Sequence, residues 1–293
     1  MVNQQKFTRT ITRRRGLGLI GSSVGMVALT SGGCTKTNED DFQTWQGAAL
    51  GAPASLKIYG VSQRLAQKLF ALAVTEIERL ENLFSLYKPQ SEILRLNSDG
   101  ALENASAEML DILRISKEMG ELTDGSFDIT VQPLWMLADR LKLKKISKHQ
   151  YEKLWANARA LVDYRGVKIS GSSVQFDRKG MGITLNGLAQ GYITDKVCDL
   201  LQRRGAKSGL VNIGENKGFG PQVFRVAIQD PRNVLDTLEI INLRNQSLAT
   251  SAPKGGYIQD GVSHIFRGNG KLERPHMSVS VTHQRAVIAD ALA

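Results

Sequence analysis

The chain has 293 residues and a formal net charge of +10, with 42% hydrophobic and 23% charged residues; these globular proportions exclude a wholly disordered or collagen-like chain. Two cysteines, Cys34 and Cys198, exclude a disulfide framework and a cysteine-rich zinc site. An aromatic share of 6% leaves little to stack on bases, so nucleic acid is not an expected partner.

Lys6, Arg9, Arg13, Arg14 and Arg15 precede Cys34 without an acid, so part of the positive excess belongs to the N-terminus. The remainder reads as solvated surface lysines, and a modest positive field would also attract an anionic substrate. Arg13-Arg14-Arg15 lead into a weakly apolar, glycine-softened run, Gly16 to Gly33, that ends in small residues. That order makes a secretory signal, and the paired arginines point to twin-arginine export. At Ser31-Gly32-Gly33-Cys34, lipidation of the thiol and ordinary cleavage fit equally well. The expected location is periplasmic in both cases, with anchoring to the inner membrane in the first. Residues 1–34 are thus expected to be the signal peptide, 35–44 a polar tether and 45–293 one working domain.

Ala54–Tyr59 alternates as a strand does, and Arg64–Leu83 spaces Leu65, Leu69, Leu72, Ile77 and Leu80 as a helix does. Ser106–Leu122 is a second amphipathic helix with Ser106 as its N-cap. Arg140–Lys148 is a basic loop or helix edge. Val167–Ser170 and Val174–Asp177 flank Gly171-Ser172-Ser173 as a hairpin. A helix is expected over about 187–203. Strands are expected at Leu210–Ile213, Val223–Gln229, Leu238–Asn242 and Met277–Thr282, with another helix starting at Arg285. Helices and strands mix without strict alternation, which predicts an α+β fold of mixed sheets with flanking helices.

Four segments carry more glycines and polar residues than packing requires. In Phe84-Ser85-Leu86-Tyr87 to Ser91-Glu92…Asn97, Ser91 and Asn97 either satisfy backbone groups in a capped turn or face a ligand. Thr123–Leu134 contains the turn signal Asp124-Gly125. Gly180–Tyr192 puts glycines at a strand-to-helix junction, where backbone approaches a phosphate, although its spacing matches neither a P-loop nor the dinucleotide fingerprint. Asp195 follows a turn later and either binds a ligand hydroxyl or decorates the helix. The fourth set is Ala249-Thr250-Ser251, Ser263-His264-Ile265 and Ala289-Asp290-Ala291-Leu292. Residues 45–293, the expected working domain, contain neither an HExxH motif nor a GxSxG nucleophile elbow, which argues against a zinc hydrolase or serine esterase.

In this order, and together with Leu210-Val211-Asn212-Ile213-Gly214-Glu215, these segments resemble the ApbE family of FAD:protein FMN transferases, from about Trp45 to the last residue. The Ala189-Gln190-Gly191 wording and the export signal are similar to the branch serving nitrous-oxide-reductase maturation. The resemblance implies that FAD is split, that FMN is placed on a Thr or Ser hydroxyl of an exported segment of a membrane redox complex, and that AMP leaves. It implies Mg²⁺ held by the Ala189 carbonyl and the Asp290 carboxylate, and His264 as the residue activating the acceptor hydroxyl. It assigns FAD binding to Tyr87, Ser91, Glu92, Asn97, Phe127, Asp128, Gly187, Gln190 and Asp195. The family's metal-ligating Thr, four residues past the Asp, has no counterpart before Ala293, so a missing C-terminal element is expected. An FAD pyrophosphatase and a non-catalytic flavin-binding maturation factor are the alternative readings.

Overall fold

The computed structural model describes residues 42–141, 147–233, 235–252, 257–259, 262–263 and 276–293. The expected signal peptide, Cys34, tether residues 35–41, His264 and the middle of the basic stretch lie outside the described residues.

Strand β1 (Phe42–Ala49) runs antiparallel to β2 (Ala52–Tyr59), from Phe42 opposite Tyr59 to Ala49 opposite Ala52. It takes in residues 42–44 of the expected tether because Phe42 has a partner: its ring lies 5.6 Å from that of Tyr59, under the Lys57 ammonium at 3.7 Å. Helix α1 (Gln63–Phe84) buries Ala66, Leu69, Phe70, Ala73, Ile77, Leu80 and Phe84, a three-to-four-residue stripe, and Ser62 caps it. Helix α2 (Glu92–Asp99) begins at the Ser91 cap and ends at Gly100, whose φ of 73° is a left-handed stop. Strand β3 (Ala101–Leu102) leads into α3 (Ala107–Leu122), capped by Ser106 as its sequence predicts.

A short 3₁₀ turn, Ile129–Val131, precedes α4 (Gln132–Leu141). Helix α5 (Lys148–Arg159) opens with a capping box between Ser147 and Gln150. The expected hairpin is β4 (Val167–Ser170) and β5 (Ser173–Phe176), and β3 joins it to make the order β3-β5-β4. Helix α6 (Ala189–Arg203) leads to β6 (Ser208–Asn212), β7 (Asn216–Phe219), β8 (Phe224–Gln229), β9 (Thr237–Leu243) and β10 (Ser247–Ser251). A short hairpin, β11 (Tyr257–Gln259) and β12 (Val262–Ser263), precedes β13 (Val279–His283) and α7 (Ala286–Leu292).

The central sheet is six-stranded and antiparallel throughout, in the order β1-β2-β6-β7-β10-β13. Helix α6 lies on β6 and β7 and contacts α1 on one side and α7 on the other. One continuous core, running from Ala49 to Ile288, unites these elements with α3 and the 181–189 segment. A smaller core of Leu210, Phe224, Val226, Ile228, Leu243 and Leu248 sits beneath the β8–β9 hairpin. The mixed α+β expectation holds. Local sequence did not reveal α2, α4, α5, β7 or β10.

Candidate active site

The glycine-rich segment before α6 is held in place by a side chain from one element and a backbone carbonyl from another. Asn97, on α2, offers its amide edge to Ile183 as a strand neighbour would: Oδ1 accepts the Ile183 N–H at 2.7 Å and Nδ2 donates to the Ile183 carbonyl at 2.9 Å. Thr184 N–H donates to the Ile129 carbonyl at 2.8 Å. Asp128 organises that 3₁₀ turn, with Oδ1 accepting from Thr130 N–H at 2.8 Å and Thr130 Oγ1 at 2.6 Å, and Oδ2 accepting from Tyr164 N–H at 2.9 Å. Burial raises the Asp128 pKa and these hydrogen bonds pull against it. The segment therefore enters α6 along a fixed path.

Several expected ligand residues prove to be occupied with structure. Ser91 is fully buried, and its Oγ accepts Leu94 N–H at 3.2 Å as the α2 cap. Glu92 turns away to α3, where its carboxylate accepts Ser106 N–H at 3.1 Å and Ser106 Oγ–H at 2.9 Å. Asp195 is engaged in the same way. Its Oδ1 accepts Lys217 Nζ at 2.6 Å and Ala286 N–H at 2.9 Å, and its Oδ2 accepts Val287 N–H at 3.1 Å, so both oxygens serve the start of α7. Tyr87 presents its ring to solvent at 67% exposure, with no packing duty to compete with a ligand.

The remaining candidates gather at the start of α6. Gly187 is exposed in the entering turn, and a Cβ there would lie 3.5 Å from the Phe127 ring, so ring and glycine share one patch. The Gln190 side chain lies across Gly214, whose φ of 90° marks the β6–β7 turn; a Cβ on Gly214 would come within 2.5 Å of it. Gly191 N–H donates to Asp290 Oδ2 at 2.8 Å. In a helix begun earlier, that N–H would go to the Gly187 carbonyl, so the oxygen released is that of Gly187. Ala189, whose carbonyl is the expected metal ligand, opens the α6 ladder; its oxygen accepts the amide one turn on and keeps a second lone pair.

Asp290 is 9% exposed, and burial pushes its pKa up to about 7; the Gly191 N–H opposes the rise and the charge of Asp195 adds to it. Glu215, in the β6–β7 turn, is 5% exposed and rises well above the usual carboxylate range through burial and the nearby charge of Asp290, with a Thr250 N–H bond opposing. Among the described residues no cationic side chain pairs with either acid, and the nearby Lys217 is engaged by Asp195. Two buried carboxylates close enough for one to act on the other need a proton or a cation near them. Glu215 was not among the expected site residues. Its signal was an acid placed directly after the buried strand Leu210–Ile213 and a glycine.

The chain has relatives among known proteins. The chain is 27% identical over 264 residues to the FAD:protein FMN transferase of Salmonella typhimurium, covering 85% of this chain and 75% of that protein. It is 29% identical over 239 residues to the Vibrio cholerae protein of the same name, covering 75% of this chain and 71% of that one. The fold is similar to the crystal structure of the ApbE protein of Thermotoga maritima, with a TM-score of 0.75 and 25% identity over 86% of this chain and 84% of that one. It is also similar to the apo flavinyl transferase ApbE of Pseudomonas stutzeri, with a TM-score of 0.71 and 23% identity over 88% of this chain and 84% of that one. A sequence model of the ApbE family matches residues 50–293 without a break, and the chain belongs to that family.

Proposed function

We propose that this protein is an FAD:protein FMN transferase. The observation that carries the reading is the buried pair Asp290 and Glu215, without a basic partner among the described residues, beside the exposed Gly187 turn at the head of α6. Hard oxygens so arranged suit a divalent cation such as Mg²⁺: the carboxylates of Asp290 and Glu215 and the Gly187 carbonyl would hold it. A cation held by these residues would supply neutralisation of the charge that builds on the pyrophosphate oxygens. Gly191 N–H fixes the Asp290 carboxylate, leaving its second oxygen available. The Gly187 turn lets FAD phosphate approach the backbone closely, with Phe127 against the same patch and Tyr87 supplying an exposed aromatic face for a flavin or adenine ring.

In the reaction, an acceptor Thr or Ser oxygen bonds to the FMN phosphorus as the bond from that phosphorus to the AMP oxygen breaks. The hydroxyl proton passes to His264, which the family resemblance assigns to that task. The acceptor belongs to an exported redox protein. Residues 1–34 direct twin-arginine export, and Cys34 is the point of cleavage or lipidation. Among the described residues no helix is long and apolar enough to cross a membrane.

The test is to incubate the protein with FAD and Mg²⁺, with and without a folded acceptor domain, and to read the acceptor's intact mass and the nucleotides together. FMN on the acceptor with matching AMP is expected. FMN and AMP without acceptor labelling would make the protein a pyrophosphatase, and FAD bound but uncleaved would make it a carrier.

A further inference from the structure

Helix α7 carries Asp290 but cannot hold itself in place. It has seven residues, and Arg285 at its N-cap supplies no side-chain hydrogen bond. Its first two free amides are capped from α6 instead, by the two oxygens of Asp195 at 2.9 and 3.1 Å. Lys217, reaching up from β7, fixes that carboxylate at 2.6 Å, and both side chains are only 14% exposed. One helical turn before Asp195, Gly191 sits so close to α7 that a Cβ would come within 2.4 Å of the Ala286 carbonyl, and its N–H binds Asp290. Residues 191 and 195 share one face of α6, so α6 grips α7 at both the backbone and the functional carboxylate.

We propose that Asp195 and Lys217 are positioning residues that set Asp290 for cation binding; neither touches the nucleotide. This rests on the cation reading above. It replaces the expected ligand role of Asp195, because a carboxylate with both oxygens occupied by backbone amides and an ammonium has little left to offer a ligand.

The experiment uses the full chain with Mn²⁺ standing in for Mg²⁺, free Mn²⁺ being read by electron paramagnetic resonance. FAD affinity is measured separately, in chelator, by flavin fluorescence. Asp195→Asn keeps the shape and one acceptor oxygen but loses the charge. It is expected to weaken Mn²⁺ binding about tenfold, the lower end of what loss of an outer-shell partner costs, while FAD affinity in chelator stays within about twofold. Its Mg²⁺ activation midpoint should rise by the same factor, with kcat recovered at saturating Mg²⁺. Lys217→Met leaves both caps in place and should weaken Mn²⁺ binding in the same direction. It decides the matter if Asp195→Asn does not fold. Wild-type Mn²⁺ affinity in the folded variant, or a loss of FAD affinity in chelator as large as the loss for Mn²⁺, would overturn the proposal. Asp290→Asn separates the two levels. If it leaves Mn²⁺ binding intact, the cation reading fails; if it abolishes binding and the clasp variants do not weaken it, the clasp alone fails.

Discussion

Replacing Gly191 with Ala adds a single methyl where α6 and α7 meet. The Cβ would lie 2.4 Å from the Ala286 carbonyl oxygen, 2.6 Å from its carbon and 2.7 Å from Val287 Cα, all backbone atoms with no rotamer to yield. Restoring ordinary contact requires α7 to move by about 1 Å, and overpacking of this kind costs about 1–3 kcal/mol. The same movement stretches the 2.8 Å bond from Gly191 N–H to buried Asp290. Weakening a hydrogen bond to a charged group adds about 1.5–3 kcal/mol. Alanine's better helix propensity offsets about 1 kcal/mol. The expected net loss is about 3 kcal/mol by urea unfolding. Transferase turnover should fall about 100-fold in the protein that remains folded, since a 1 Å misplacement of a reacting group costs that much. A Gly191→Ala protein within about 0.5 kcal/mol of wild type, the scale of a neutral surface change, would refute the reasoning that backbone contact here sets the carboxylate.

Other sites give separate outcomes. Asn97→Ala strips both hydrogen bonds from Ile183, which is fully buried, and should cost about 3 kcal/mol in urea unfolding. Glu92→Ala releases the α3 N-terminus and should lower stability by about 1–2 kcal/mol while leaving FAD affinity unchanged; a selective loss of FAD binding would restore its ligand role. Tyr87→Ala, at 67% exposure, should leave the urea midpoint unmoved and weaken FAD binding, read by fluorescence titration. For pH, the folded chain holds the Asp290 proton more tightly than the unfolded chain does, because its pKa rises from 3.8 to about 7. That contribution to stability is full below the unfolded value and is lost as pH rises through the folded one. In chelator, wild type should lose stability relative to Asp290→Asn between about pH 4 and 7, and Mg²⁺ should restore it at about pH 8. A difference that is flat across this range would remove the buried-carboxylate account.

Helices whose apolar stripe repeats locally were legible in the sequence: α1 needed only its own spacing, and α3 its spacing and the Ser106 cap. Helix α2 was not, because its eight residues bury only Ile93 and Leu96 from its apolar set, too short a stripe to show a period. The Gly180–Tyr192 segment was legible as a glycine-rich entry to a helix. The duties of its neighbours were not. Asp195 meets Ala286 and Val287 across 91 and 92 positions, and Asn97 meets Ile183 across 86, distances over which single-sequence patterns carry no signal. Acids and amides that looked available for a ligand are spent on backbone groups that the fold would otherwise leave unpaired. The start of α6 was hidden for the same reason: the partner of Gly191 N–H is the Asp290 side chain near the other end of the sequence.

In the proposed reaction Asp290 holds the cation under which FMN leaves FAD for a protein hydroxyl. The most direct measurement is single-turnover transfer to a folded acceptor domain by the full chain and by its Asp290→Asn variant at saturating FAD and Mg²⁺. Intact acceptor mass and AMP are followed in the same samples. Wild type is expected to label the acceptor as AMP appears, and the variant to bind FAD yet transfer at least about 100-fold more slowly, the scale of a lost electrostatic contact in a transition state. Equal transfer by the variant, or AMP release from wild type with no label on the acceptor, would contradict it.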